Sequence, residues 1–174
     1  AGSLRASRSG GGLALTLATL RANAVNLREL ETYLHEHIPL SLAMQVSVLD
    51  ATPEQVVLGA PLAPNINHRE TVFGGSASAL TILSAWTLLH TKLTASGFKC
   101  TLVIQRNTMS YEKAVTGSFS AKATAPSAEA WKSFTRMLQR KGRARITVSS
   151  VLMQEGGDAG HFEGDFVALG AAGG

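Results

Sequence analysis

A long stretch without charge, Gly74–Leu89, constrains the fold of this chain most. It follows a polar loop, opens with two glycines, and carries only serine and threonine hydroxyls among its apolar residues. A helix of this composition has no charged face for solvent and must be buried on nearly all sides. It is slightly short for a membrane span, and strand-like segments surround it. The pattern predicts a helix from about Gly74 to Leu93 that is buried by a sheet.

The segments on both sides of this helix alternate between apolar and polar residues, as half-buried strands do. Before the helix, Leu42–Val48 and Val56–Leu62 predict an antiparallel hairpin around a turn at Asp50–Glu54. Four strands are predicted after it, at about Lys99–Tyr111, Val115–Ala125, Ala144–Val148 and His161–Leu169. Strands joined by short turns are expected to pair, which gives one curved antiparallel sheet.

Two further helices have clear start and stop signals. Asn26 predicts the start of a helix that runs to His37 and stops before Pro39. Ser127 can cap a second helix that Gly142 ends. The apolar stripe of this second helix is Trp131, Phe134 and Leu138. The predicted order is a helix, two strands, the long helix, and four strands with one inserted helix, an α+β arrangement.

Length and composition indicate one globular domain. The chain has 174 residues, 45% hydrophobic and 16% charged. We expect residues 25–170 to form a single domain, residues 1–24 to be a flexible tail or a cloning remnant, and residues 171–174 to be a C-terminal tail. The single cysteine, Cys100, permits no internal disulfide, which fits a reducing compartment, and we expect a cytoplasmic protein.

The net charge of +4 includes one basic cluster. Its members are Arg136, Arg140, Lys141, Arg143 and Arg145. They are either a solvated helix end and strand edge or a site for a phosphorylated ligand. No aromatic residues interleave with them, so we do not expect nucleic acid as a partner. We also expect no membrane partner, because the longest apolar segment, Gly74–Leu89, is short for a span and contains several hydroxyl groups. The histidines are scattered and Cys100 stands alone, so we expect no metal site.

The glycine pair at the start of the long helix has a chemical implication. The first amide groups of a helix lack intrahelical partners, and the helix dipole adds partial positive charge there. Without a Cβ, Gly74 and Gly75 let a ligand approach these amides closely. Such a terminus suits a phosphate or an oxygen that becomes negative during a reaction. With the amide side chain of Asn67 just upstream, the pattern suggests acyl chemistry.

Two segments, read together with the order of elements, carry a family resemblance. They are Ala60-Pro61-Leu62-Ala63-Pro64-Asn65-Ile66-Asn67-His68 and Thr71-Val72-Phe73-Gly74-Gly75-Ser76. Trp86, Tyr111 and Arg140–Arg145 extend the match, which covers about Asn26 to Leu169. This set resembles the hotdog-fold thioesterases, and especially the thioesterase domain at the C-terminus of YiiD-type proteins.

The resemblance implies a hotdog fold, an antiparallel sheet wrapped around a central helix at about Gly74–Leu93. It implies a homodimer or a dimer of dimers with acyl sites between subunits. The implied substrates are acyl-coenzyme A or acyl-carrier-protein thioesters. No cofactor is implied beyond coenzyme A as part of the substrate.

The resemblance also implies roles for particular residues. Similar thioesterases of the phenylacetate-pathway type have an Asn where Asn67 stands and a His where Phe73 stands. The amide of Gly75, or of Gly74, would polarise the thioester carbonyl. Those relatives also carry Asp or Glu on the central helix, whereas Gly74–Leu89 contains no acid. The nearest acid is Glu70, a candidate base.

Alternatives stay open for these residues and for the function. Asn67 can instead cap a turn, and Glu70 can be an exposed loop residue. Candidate substrate-binding residues are His68, Thr71, Phe73, Ser76, Tyr111, Arg143 and Arg145. The function is either thioester hydrolysis or non-catalytic binding of an acyl thioester, as an accessory to an acetyltransferase. The missing helix carboxylate favours the second, whereas the spacing from Asn67 to Gly75 favours hydrolysis, which is the function we expect.

Overall fold

A computed structural model describes residues 25–170, so the expected tails at 1–24 and 171–174 lie outside the described part of the chain. The helices are α1 (Leu27–His37), α2 (Pro39–Ala43), α3 (Gly74–Ala95) and α4 (Ala128–Lys141). The strands are β1 (Ser47–Ala51), β2 (Gln55–Ala60), β3 (Cys100–Tyr111), β4 (Phe119–Thr124), β5 (Arg143–Gln154) and β6 (Gly157–Gly170). These bounds confirm the α+β prediction.

The six strands form one antiparallel sheet in the order β1-β2-β4-β5-β6-β3. The predicted pairing of strands joined by short turns holds for β1 with β2 and for β5 with β6. It is wrong for β3, which pairs with β6 along its length and not with β4. The chain turns after β3, where the amides of Glu112 and Lys113 both donate to the Ala159 carbonyl. This turn leads the chain away from β3.

The long helix α3 fills the interior of this sheet. Leu80, Ala85 and Leu88 are fully buried, and Phe166 of β6 is buried with them. Inside the core, the Ser84 hydroxyl lies 2.8 Å from the hydroxyl of Ser150 on β5 and links helix to sheet. A sheet wrapped around one central helix is the hotdog fold, as predicted.

The predicted strand Leu42–Val48 is wrong over its first half. Pro39 occupies the start of α2, where the amide group that proline lacks is not needed. Leu40 and Leu42 are exposed, while Ser41 and Met44, three residues apart, are buried as on a helix. β1 begins only at Ser47.

The capping predictions are confirmed. The Asn26 side chain accepts hydrogen bonds from the amides of Arg28 and Glu29, and the Ser127 hydroxyl accepts one from Ala130. Gly142 ends α4 with a φ of 64°, a conformation that favours glycine. None of the helices within residues 25–170 is long and apolar enough to cross a membrane.

Candidate functional site

The start of α3 has uncapped amide groups. Phe73 is the N-cap residue, but no side chain caps this terminus, and the first turn contains no acid. The amide of Ala77 makes the first helical hydrogen bond, to the Phe73 carbonyl at 3.0 Å. The amides of residues 74–76 precede it and can receive an anionic oxygen.

The two glycines let other groups lie close to this terminus. A Cβ on Gly75 would overlap the ring of Phe73, which lies exposed beside it. A Cβ on Gly74 would meet the Tyr111 ring at 3.5 Å, an ordinary contact. A side chain at Gly75 therefore requires the exposed Phe73 ring to move, whereas Gly74 tolerates a small side chain without such a movement.

A cavity of about 280 Å³ opens beside the first turn of α3. Gly74 and Ala77 line it on the helix side, and Tyr111, Glu112 and Lys113 line it at the end of β3. The Tyr111 hydroxyl donates to the Gly74 carbonyl at 3.1 Å and so joins the strand end to the helix start. The structure thus brings Phe73, Gly74, Gly75, Ser76 and Tyr111 together.

Both polar atoms of the Asn67 side chain form hydrogen bonds within the loop before α3. Its Oδ1 accepts from the amides of Arg69 (2.8 Å) and Thr71 (3.3 Å). Its Nδ2 donates to the Thr71 hydroxyl (2.9 Å) and the Val72 carbonyl (3.4 Å). Both donor hydrogens are engaged, so in this geometry Asn67 shapes the loop, as in the turn-capping alternative.

A second asparagine anchors the same loop, and the sequence analysis gave it no such role. Asn65 is 2% exposed and donates from Nδ2 to the carbonyls of Met44 (3.0 Å) and Pro61 (2.8 Å). Its own carbonyl accepts from the Phe73 amide at 2.7 Å. Asn65 therefore holds Phe73, the N-cap residue of α3, in position. A polar residue between apolar Pro64 and Ile66 was the only available signal.

The family of this chain is decided by comparison with known proteins. The family described as putative thioesterase (yiiD_Cterm), YiiD_C, matches residues 27–170, nearly all of the domain. The chain belongs to this family. The match confirms the resemblance to this family that the segments Ala60–His68 and Thr71–Ser76 indicated.

Solved structures resemble this YiiD_C domain over almost their whole length. A protein of unknown function from Chlorobaculum tepidum is 27% identical, with a TM-score of 0.77, over 83% of this chain and 94% of that one. A putative thioesterase from Shewanella oneidensis is 27% identical, with a TM-score of 0.74, over 82% and 96%. A probable thioesterase from Pseudomonas aeruginosa is 17% identical, with a TM-score of 0.74, over 85% and 98%, and supports the fold alone.

The YiiD_C domain carries no carboxylate on α3, so this helix offers no general base. Glu70 and His68 are exposed at the tip of the loop, and Glu70 has a φ of 61°. No hydrogen bond or ion pair within residues 25–170 holds either side chain against the start of α3. Neither residue is oriented as a base by its own chain.

One His–carboxylate pair was missed by the sequence analysis. His161 Nδ1 lies 2.7 Å from Glu112 Oε1. On β6, however, the neighbouring Phe162 is buried and His161 is exposed. Because side chains alternate between sheet faces, His161 points away from α3. Glu112, in contrast, lines the cavity beside the first turn of α3, so the pair lies at the edge of this cavity with its imidazole on the outer face of the sheet.

Arg143 and Arg145 are not brought to this site by their own chain. Ala144 and Ile146 are buried, so the two arginines lie on the outer face of β5. Leu152 of the same strand lines the cavity, and seven to nine residues of strand separate it from the arginines by about 20–30 Å. Their predicted role in binding substrate, which was made for a site between two subunits, stays a prediction.

Arg145 has a different electrostatic partner. Asp165 accepts from the Thr147 hydroxyl at 2.7 Å and forms an ion pair with Arg106 at 2.9 Å. The Thr147 hydrogen bond first, then Arg106 and Arg145, hold the pKa of Asp165 below its usual range. This network explains Arg145 as part of a solvated sheet face.

Proposed function

We propose that this YiiD_C domain hydrolyses the thioester of an acyl-coenzyme A or an acyl carrier protein. The observation that carries the proposal is the uncapped start of α3, where two glycines open the helix and the first of them, Gly74, lines a cavity. The thioester carbonyl oxygen would accept from the amides of Gly74 and Gly75. One donor of this kind typically lowers the barrier by about 2.7–4 kcal/mol.

The reaction proceeds by addition and elimination. A base removes a proton from water as its oxygen attacks the carbonyl carbon, and the carbonyl π electrons move to the oxygen held by the amides. The tetrahedral intermediate then re-forms the carbonyl, and the carbon–sulfur bond breaks. The thiolate leaves with the electron pair and takes the proton from the base, which gives a free acid and a thiol.

The base is proposed to be Glu70 or a group from a second copy of the chain. A positioned base is worth about a hundred- to ten-thousand-fold in rate. Asn67 supports the reaction through the loop. Phe73, Ser76 and Tyr111 surround the carbonyl, while Thr71, with Asn67, keeps the loop closed. His68, Arg143 and Arg145 remain predicted ligands only for a site that two copies form together.

The test is thiol release from acyl-coenzyme A thioesters, from acetyl to long-chain and aromatic. Turnover on some members is expected. Glu70→Gln lowers it by at least a hundredfold if Glu70 is the base, and unchanged turnover assigns the base to the second copy. Glu155→Gln, an exposed acid in the β5–β6 turn, is the matched control.

The second candidate is a non-catalytic module that binds acyl thioesters. The absence of a carboxylate along α3 favours it. Saturable binding of a thioester with no thiol release from any member would select this candidate. Neither binding nor release would contradict both.

A further inference from the structure

An apolar groove lies between α2 and one side of α3. Its volume is about 290 Å³, close to the lower end of ordinary ligand pockets. Ile38, Leu40 and Met44 form one wall, and Ala79, Ile82 and Trp86 form the other. Its only polar lining residue is Ser41, and no lining residue is charged. These walls suit a hydrocarbon and offer nothing to a phosphate.

The groove follows the helix face that begins at Gly75. Ala79, Ile82 and Trp86 lie four, seven and eleven residues after Gly75, spacings that place all four on one side of an α-helix. A chain whose first atom is held at the Gly75 amide would therefore meet the groove as it passes along α3.

Two cavities that differ in polarity lie on different sides of the N-terminal part of α3. The cavity with Tyr111, Glu112 and Lys113 offers hydroxyl, carboxylate and ammonium groups, whereas the α2–α3 groove is apolar. A thioester has the same division, with a polar carrier arm on the sulfur and a hydrocarbon on the carbonyl. We propose that the α2–α3 groove binds the acyl chain, an inference that rests on the proposed thioester chemistry at Gly74 and Gly75.

The length of the groove selects a medium chain. From Gly75 to Trp86, α3 rises about 16 Å, and from Ala79 to Trp86 about 10 Å. An extended chain of tetrahedral atoms advances about 1.2 Å per bond, as the polypeptide backbone does. The two distances correspond to about eight and about thirteen bonds, so the groove matches linear acyl chains of about nine to fourteen carbons.

Trp86 closes the far end of the groove and is held firmly. Its Nε1 donates to the Leu102 carbonyl at 3.0 Å. Its ring stacks on His90 with centroids 4.7 Å apart, and His90 stacks on Tyr33 at 5.0 Å. A wall fixed from two sides is preorganised, so the groove loses little freedom when it fills.

The test measures binding of two thioethers that cannot be hydrolysed, S-decyl-coenzyme A and S-ethyl-coenzyme A. Each buried methylene strengthens binding about fourfold. We expect the wild type to bind the decyl compound at least about tenfold tighter than the ethyl compound. Titration calorimetry gives both Kd values.

Two exposed leucines of α2 provide a matched pair of variants. Leu40 lines the groove and Leu42 does not, and they are 57% and 58% exposed. Leu40→Asp should lower the decyl-to-ethyl preference about tenfold, and Leu42→Asp should leave it at the wild-type value. Ala79→Leu should lower it as well, with Ala130→Leu on the exposed face of α4 as its control.

The outcomes separate this inference from the proposed function. A decyl preference that Leu40→Asp abolishes supports the groove, even if no thioester is hydrolysed. Equal binding of the two thioethers overturns it, and so does an equal loss in both aspartate variants. If Leu40→Asp instead changes only the sedimentation of the protein, a second copy covers the groove, and the inference is likewise overturned.

Discussion

Phe73 and Gly75 lie close together at the start of the central helix, and each limits the side chain that fits at the other position. The ring of Phe73 occupies the place of a Cβ on Gly75. Any side chain at Gly75 must displace the ring or the backbone of the first turn. The amides proposed to hold the carbonyl oxygen would move with that backbone.

Gly75→Ala is therefore expected to lower kcat/KM for thioester hydrolysis by about tenfold to a hundredfold, since a displacement of about 1 Å can cost about a hundredfold. Gly117→Ala is the matched control, because a Cβ there has nothing within 4 Å. Steady-state kinetics of both variants decide the point. Equal rates in the two would contradict a role for the start of α3.

Asn67 and Thr71 are expected to act as a pair that stabilises the loop. Asn67→Ala should lower the free energy of unfolding by about 0.5–1.5 kcal/mol, because the loop loses the part-buried hydrogen bonds from Asn67 to Thr71 and Val72. Thr71→Val should cause part of the same loss, and the double variant should cost less than the sum. Urea unfolding tests this. A catalytic Asn67 would instead show lost turnover with unchanged stability, and Thr71→Val would have little effect.

At the scale of elements, a stack of four rings joins α1 to α3. His37 stacks on Tyr33 at 4.1 Å, Tyr33 on His90, and His90 on Trp86. Burial first, and then the neighbouring His37 imidazole, lower the pKa of His90 below the ordinary value for histidine. The folded protein therefore disfavours protonation of His90.

The sign of the pH effect follows from this lowered pKa. Above about pH 6.5, His90 is neutral in both the folded and the unfolded chain, and its contribution is fully present. As the pH falls below 6.5 towards the folded-state pKa, the unfolded chain binds the proton first and stability declines. Urea midpoints at several pH values should show this slope in the wild type and a smaller one in His90→Gln. His68→Gln, at an exposed loop residue, should keep the wild-type slope; equal slopes in all three would contradict the prediction.

Some elements were readable from local sequence and others were not. The cap, stripe and terminal glycine of α4 all lie within Ser127–Gly142, and each was predicted. The alternation at Ser41–Met44 resembled a strand, yet Pro39 and packing against α3 make α2 a helix. The place of β3 beside β6 depends on contacts between distant residues, which strand periodicity does not encode.

The same division applies to the site. The glycine pair and the long apolar helix are consecutive residues, so the start and the burial of α3 could be predicted. The internal hydrogen bonds of Asn67 depend on how the loop closes. The distance of Arg143 and Arg145 from the start of α3 depends on the register of β5 in the sheet. Neither is visible from residue type and spacing alone.

At the scale of the whole molecule, β3 is an edge strand of twelve residues with one side unpaired in this chain. Such an edge can pair with another chain. We predict a homodimer through β3, with twice the 18.3 kDa mass of one chain in sedimentation. Val103→Lys, at a side chain of β3 that is 44% exposed, should weaken the dimer. Leu49→Lys, on the opposite edge strand β1, should leave the dimer unchanged. A monomeric wild type would contradict the prediction and leave Glu70 as the proposed base.

The central claim is that the start of α3 holds the carbonyl oxygen of an acyl thioester. The most direct measurement is a crystal structure with a ketone analogue of decanoyl-coenzyme A, in which a methylene replaces the sulfur. We predict that the ketone oxygen lies about 3 Å from the amide nitrogen of Gly74 or Gly75, with the alkyl chain along Ala79 and Ile82. A ketone bound elsewhere, with these amides facing solvent, would contradict it.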